Sequence, residues 1–227
     1  MNIIELRKID KVYPAPVNVQ VLFGIDLAFE TGSFNSIIGQ SGSGKSTLLN
    51  IMGTLDKPTN GEIFIDGNRT DIMSKDKLSE LRNQAIGFVF QFHYLLPEFT
   101  ALENVLIPYW INKRKPAAEV VKRANDLFEL VGISKVKNNQ ANRMSGGQQQ
   151  RTAIIRALIN NPRMILADEP SGNLDSDNTD AIYRIFRDIN KEFGTTFIIV
   201  THDRRIAEQT DRIVEIKDGR IVLDIKR

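Results

Sequence analysis

The stretch Gly39-Gln40-Ser41-Gly42-Ser43-Gly44-Lys45-Ser46 has the spacing G-x-x-x-x-G-K-S and is followed by Thr47. Glycines at those intervals let the backbone curl so that successive amides point inward at phosphate oxygens. Lys45 adds positive charge for the β- and γ-phosphates, and Ser46 offers its hydroxyl to Mg²⁺. Gly39, Ser41, Gly42, Ser43, Gly44, Lys45, Ser46 and Thr47 are therefore the expected nucleotide grip. A second constellation, Met164-Ile165-Leu166-Ala167-Asp168-Glu169, is an apolar run ending in two carboxylates. At the end of a strand, Asp168 can hold Mg²⁺ through water, while Glu169 can orient or deprotonate the attacking water. Alone, such a pair is usually a solvated strand end; with a phosphate loop upstream it completes a phosphoryl-transfer template. A third, Ser145-Gly146-Gly147-Gln148, heads a helical pattern, where free amides and the positive dipole end make a local anion site. By itself Ser-Gly-Gly is often only a loop and cap. One chain does not need two phosphate grips, whereas two chains arranged head-to-tail do.

The elements around these residues follow from periodicity. Residues 34–38 form a short apolar run before the glycine segment, and 47–55 have helical spacing after it, so the order is strand, loop, helix. Residues 3–9 and 19–30 read as strands, the second alternating through Val19, Val21, Phe23, Ile25, Leu27 and Phe29. The first ends in a turn signal at Lys11-Val12-Tyr13-Pro14. Residues 62–66 and 86–90 are further strands, separated by a polar helix over 75–83. Thr100-Ala101-Leu102-Glu103 has the spacing of a capping box, so a helix is expected from there to Trp110. Another covers 117–131, with Val120, Val121, Ala124, Leu127, Phe128 and Val131 as its apolar stripe. A third runs from Ser145 to just before Asn160-Asn161-Pro162. Short apolar runs at 164–167 and 196–200 suit strands buried on both faces of a parallel sheet, with a helix over 178–193 between them. Residues 213–216 and 221–225 flank Asp218-Gly219 as a terminal hairpin. The organisation is an α/β core interrupted by a helical insert over 92–158.

Composition narrows the function classes. Hydrophobic residues make up 41% of the 227 and charged residues 26%, as in an ordinary globular domain. There is no cysteine, which excludes thiolate catalysis, cysteine-based zinc sites and disulfides. A net charge of +2 gives no electrostatic case for a nucleic-acid partner. Met1-Asn2-Ile3-Ile4-Glu5 lacks the basic and apolar regions of a signal peptide, and no apolar run approaches the ~20 residues needed to cross a bilayer. A cytoplasmic chain is expected, held at a membrane only by another protein.

In this order the motifs resemble the nucleotide-binding subunit of an ABC transporter over the whole chain. Residues 39–47 resemble the Walker A loop and 164–169 the Walker B strand. Met144-Ser145-Gly146-Gly147-Gln148 resembles the signature motif, with Met in place of the usual Leu. The resemblance implies a P-loop NTPase (RecA-like) core over 1–91 and 159–227, with N-terminal antiparallel β strands and an inserted α-helical subdomain over 92–158. It implies ATP and Mg²⁺ as ligands, the metal held by Ser46, Gln91 and Asp168. It further implies that Tyr13 stacks on adenine, that Gln91 touches Mg²⁺ and the lytic water, and that His202 contacts the γ-phosphate. Glu169 is then the base, Asp175 in Ser171-Gly172-Asn173-Leu174-Asp175 belongs to a loop communicating across a dimer, and His93 is contact surface. ATP would be sandwiched in a homodimer between Lys45 of one subunit and residues 145–148 of the other.

The segment from Gln91 to Val105 looks like the lipoprotein-releasing (Lol-type) ATPases, close kin of the macrolide-exporter ATPases. Leu55-Asp56-Lys57-Pro58-Thr59 and the run from Ala167 to Asp175 are shared across that wider group. An aromatic, apolar 92–99 suits a groove receiving a helix of a membrane permease, which is expected to dock near 92–110 on the cytoplasmic side of the inner membrane. Arg143-Met144, Gln148 and Ile154-Ile155-Arg156 depart from the Lol-type pattern and leave the cargo open. The motor of an antimicrobial-peptide, macrolide or haem exporter is the alternative. A soluble ABC ATPase is disfavoured by one cassette, an insert of ordinary length and no cysteine, and a degenerate regulatory cassette by intact Lys45, Asp168, Glu169 and His202.

Overall fold

The structure is a computed structural model in which residues 1–14, 18–112, 117–172 and 174–227 are described. Two sheets carry the fold. β1 (Asn2–Tyr13), β2 (Val19–Glu30), β4 (Asn60–Ile65) and β5 (Asn68–Arg69) form an antiparallel sheet in the order β2-β1-β4-β5. The other sheet contains β3 (Phe34–Ile38), β6 (Ile86–Phe90), β7 (Met164–Asp168), β8 (Thr196–Val200), β9 (Arg212–Lys217) and β10 (Arg220–Lys226). Its order is β10-β9-β3-β8-β7-β6, parallel except for the β9–β10 hairpin.

The parallel strands are contiguous apolar runs because both faces are buried. Along β7, Ile165 and Ala167 enter one core, and Met164 and Leu166 enter the other. The first core packs α3 (Ala101–Asn112), α4 (Ala118–Leu130), α5 (Gly146–Leu158) and α6 (Ser176–Phe193) against the sheet. The second fills the space between the two sheets and holds α1 (Lys45–Met52) through Leu48, Leu49, Ile51 and Met52. α2 (Lys75–Ala85) buries Leu78, and a short helix α7 (Arg204–Ala207) buries Ile206 and Ala207, Ile206 within the first core. Among the described residues no helix is long and apolar enough to cross a membrane.

Several expectations shift. β1 does not turn at Lys11 but pairs with β2 as far as Tyr13. The alternation along β2 changes face at Gly24, whose φ of 58° is open to glycine at no steric cost. Ile9 pairs with Ile25 but Lys11 with Leu22, so β2 carries one extra residue there and Leu22, not Phe23, is buried. α1 begins at Lys45 and ends at Met52, and α6 begins at Ser176 because the Asp175 carboxylate accepts from Asn178 N at 2.8 Å as its N-cap. The capping box at α3 is formed: Thr100 N donates to Glu103 Oε2 at 2.8 Å, and Glu103 N to Thr100 Oγ1 at 3.2 Å.

Candidate nucleotide site

The register of the parallel sheet gathers the site. Phe90 pairs with Asp168, Asp168 with Val200, and Val200 with Ile37. The C-terminal ends of β6, β7, β8 and β3 are therefore level, and the residues that follow them, Gln91, Glu169, His202 and the loop from Gly39, face one space. Ligands of open α/β sheets bind at this carboxyl edge. The resulting cleft, about 760 Å³, is lined by Val21, Ser41, Gly42, Gly44, Lys45, Ser46, Thr47, Gln91, Glu169 and His202.

The loop is shaped by close approach. A Cβ on Gly39 would meet Ile216 O at 2.2 Å, so no larger residue fits. Ser43 O accepts from Gly219 N at 3.1 Å, which ties the β9–β10 turn to the loop. Gly219 has φ 71° and no room for a Cβ, which would lie 2.2 Å from Val21 O. Lys45 is buried, and its Nζ donates to Gly39 O and Gln40 O, both at 2.8 Å. The loop thus holds its own cation at the position where phosphates would gather.

Ser46 Oγ donates to Asp168 Oδ1 at 3.2 Å across the cleft floor. Burial pushes the Asp168 carboxyl up, opposed by the Ser46 hydrogen bond and reinforced by the neighbouring Glu169 charge. A hydroxyl and a desolvated carboxylate are hard oxygen donors, and Mg²⁺ takes one or two protein oxygens and completes its shell with phosphates and water. Among the described residues no cluster of three or more acidic, histidine or cysteine groups gathers.

Glu169 has φ 46°, a left-handed conformation costly for a residue with a side chain, and its N–H donates to Val200 O at 3.0 Å. Its Oε2 lies 2.9 Å from His202 Nδ1. An ionised Glu169 only accepts, so Nδ1 carries the proton there and Nε2 is left for the cleft. Gln91 packs on Gly172, where a Cβ would sit 2.7 Å from its Nε2.

The remaining residues lie outside the cleft lining. Tyr13 stands at the end of β1, 39% exposed, with its hydroxyl on Asp56 Oδ2 at 2.8 Å. Ser145 caps α5 in a complete capping box with Gln148. Gly146 O accepts from His93 Nε2 at 2.9 Å when that nitrogen carries the proton, and Gly147 lies against Asn178, which Asp175 holds. Residues 145–148 do not line the cleft of their own chain. Asn173 lies outside the described residues.

Three supporting residues were not anticipated. Gln150 is buried, and its amide donates to Phe90 O and Pro170 O, joining the ends of β6 and β7. Its signal was available, since it falls on the same helical face as Ile154. Arg156 donates to Tyr94 O at 2.6 Å and His93 O at 2.7 Å, and burial lowers its pKa. Gly219 carries no local signal beyond its turn.

This fold and site define a P-loop nucleotide hydrolase of the ATP-binding-cassette class. Residues 22–172 match the family model described as ABC transporter. The chain is 50% identical over 222 residues to the lipoprotein-releasing system ATP-binding protein LolD 1 of Rhodopseudomonas palustris, covering 97% of this chain and 98% of that one. A LolD of Bacteroides fragilis is 51% identical over 90% of this chain and 94% of its own. The dimeric structure of a post-hydrolysis state of the ATP-binding cassette MJ0796 bound to ADP and Pi superposes with TM-score 0.90 at 42% identity, covering 98% of each chain. The chain belongs to the ABC transporter family. It is an ATP-binding, ATP-hydrolysing subunit of such a transporter.

Proposed function

We propose that this subunit drives release of lipoproteins from the inner membrane as a head-to-tail homodimer docked on the cytoplasmic side of a membrane permease. The observation that carries the dimer is the division of the site. The cleft is lined by the phosphate loop with Ser46, and by Gln91, Glu169 and His202, with Asp168 bonded to Ser46 behind them, but not by the capped helix start at 145–148. A second copy supplies that start, whose free amides and dipole favour the γ-phosphate. Lys45 and the loop amides bind the phosphates, and Tyr13 stacks on the base. Ser46, Asp168 and Gln91 would hold Mg²⁺, which when bound would supply positive charge to offset that of the phosphates. Glu169 takes a proton from the attacking water, oriented by His202, and closure and reopening of the dimer moves the permease.

The core is 1–91 and 159–227 and the helical subdomain 92–158. Phe92, Tyr94, Leu96 and Phe99 are exposed at the start of the helical subdomain, which supports permease docking near 92–110. Lipoprotein as cargo rests on the relatives named LolD. The test is reconstitution of the subunit with its co-purified permease in lipoprotein-loaded vesicles. ATP-dependent release of lipoprotein is expected; ATP turnover with no release would remove the cargo.

A further inference from the structure

The base of a nucleotide is positioned by whatever fixes the ring beneath it, and here that ring is held from behind. Lys11, 8% exposed, sits with Nζ 4.6 Å from the centroid of the Tyr13 ring. The same Nζ donates to Asp56 Oδ1 at 2.6 Å and to Lys57 O at 2.7 Å. The other Asp56 oxygen accepts from the Tyr13 hydroxyl at 2.8 Å, and Lys57 N donates to Oδ1 at 2.7 Å. Asp56 therefore ties a cation over one face of the ring to the hydroxyl at its edge.

This unit is anchored to the helix that follows the phosphate loop. Leu55 N and Asp56 N both donate to Asn50 O, in the last turn of α1. Two hydrogen bonds fasten the neighbouring end of β1: Val12 N to Thr59 Oγ1 at 2.9 Å and Thr59 N to Asp10 O at 2.8 Å. Burial, then the Asp56 hydrogen bond, raises the Tyr13 pKa, so the phenol remains a neutral donor to Asp56. Burial also works against the Asp56 charge but is outweighed by its bonds from Lys11, Tyr13 and Lys57, which leave its carboxyl below the usual range.

We propose that Lys11 and Asp56 are positioning residues that lock the Tyr13 ring as a rigid platform for the nucleobase, at a fixed offset from the phosphate loop. With one face covered by the cation, only the opposite face is open to a base. A fixed ring gives up little conformational freedom when a base lands on it, so the clamp contributes affinity for base-bearing nucleotides and none for bare phosphate chains. The inference rests on Tyr13 being the stacking residue.

The experiment compares binding of ATP and of inorganic tripolyphosphate, each with Mg²⁺, to the full-length subunit and three variants. Tyr13→Ala removes the platform, Tyr13→Phe its tether, and Asp56→Asn the charge that holds Lys11. Base–aromatic stacking of ~1–3 kcal/mol corresponds to an affinity loss of about fivefold or more for Tyr13→Ala. Tyr13→Phe and Asp56→Asn are expected to weaken ATP about threefold to tenfold, while tripolyphosphate stays within about twofold of wild type. If only Tyr13→Ala weakens ATP, stacking stands and the clamp is overturned. If Tyr13→Ala binds ATP as wild type does, the stacking reading itself falls and the clamp with it. Equal losses for ATP and tripolyphosphate would mean that the damage reaches the phosphate loop, which also overturns base positioning.

Discussion

His202 Nδ1 lies 2.9 Å from Glu169 Oε2, joining the second residue after β8 to the first residue after β7 across adjacent strands. The histidine ring is largely exposed, whereas the glutamate is mostly covered, so the pair places a shielded carboxylate behind a ring that reaches the open cleft. Glu169 holds this place in a left-handed backbone conformation, which costs about 1–3 kcal/mol and persists only where the surroundings enforce it.

Glu169→Gln keeps the shape and one acceptor but cannot take a proton. ATP affinity is expected within about threefold of wild type, with turnover down about a hundredfold to ten-thousandfold. An ATP-bound dimer should accumulate, detectable by size exclusion. Turnover near wild type would remove Glu169 from its role.

Asp168 sets a pH signature. Its folded pKa is raised, first by burial and then by the Glu169 charge. A carboxyl that binds its proton more tightly when folded makes folding less favourable as pH rises through the interval between the unfolded and folded values. The penalty is therefore present at neutral pH and absent below the ordinary carboxylate range. Asp168→Asn should raise the Tm of the nucleotide-free subunit at pH 7, each 1 kcal/mol relieved giving roughly 2–4 °C. Little change is expected at acid pH, and hydrolysis should fall about a hundredfold or more. Thermal melts at two pH values check it; an unchanged or lower Tm at pH 7 contradicts it.

The exposed aromatics after β6 are held from below by Arg156, which spends its guanidinium on the His93 and Tyr94 carbonyls. Replacing Phe92 and Tyr94 together by serine should leave the ATPase rate of the isolated subunit within about twofold and cut permease co-purification about tenfold, the loss expected when two interface anchors go. Undiminished co-purification would move the docking surface elsewhere.

The parallel sheet and its motifs were legible because doubly buried strands are contiguous apolar runs, and the chemistry sits at their ends. Residues 34–38, 86–90 and 196–200 are strands with those bounds. The face of β2 was not legible, since one extra residue at Gly24 reverses which side chains turn inward. Nor was the hold on Tyr13: Lys11 and Asp56 are 45 residues apart, and only the tertiary fold brings them to 2.6 Å. The brace from Gly219 to Ser43 is equally nonlocal. α7 is a single turn, capped by Asp203, which accepts from Arg205 N at 2.9 Å, and is too short for periodicity to show.

The claim that each site is shared between two copies is tested most directly by mixing two inactive variants. Lys45→Ala disables the phosphate loop. Gly146→Asp sets a negative charge at the α5 start, where a Cβ meets nothing nearer than Leu174 at 3.8 Å. Each homodimer then has two damaged sites, but a mixed dimer concentrates both lesions in one site and leaves the other whole. ATP hydrolysis is measured on each variant alone and on their equimolar mixture. If sites are shared, half the dimers are mixed and each carries one intact site, so the mixture should recover up to about a quarter of the wild-type rate. A mixture as inactive as its components would contradict the shared site.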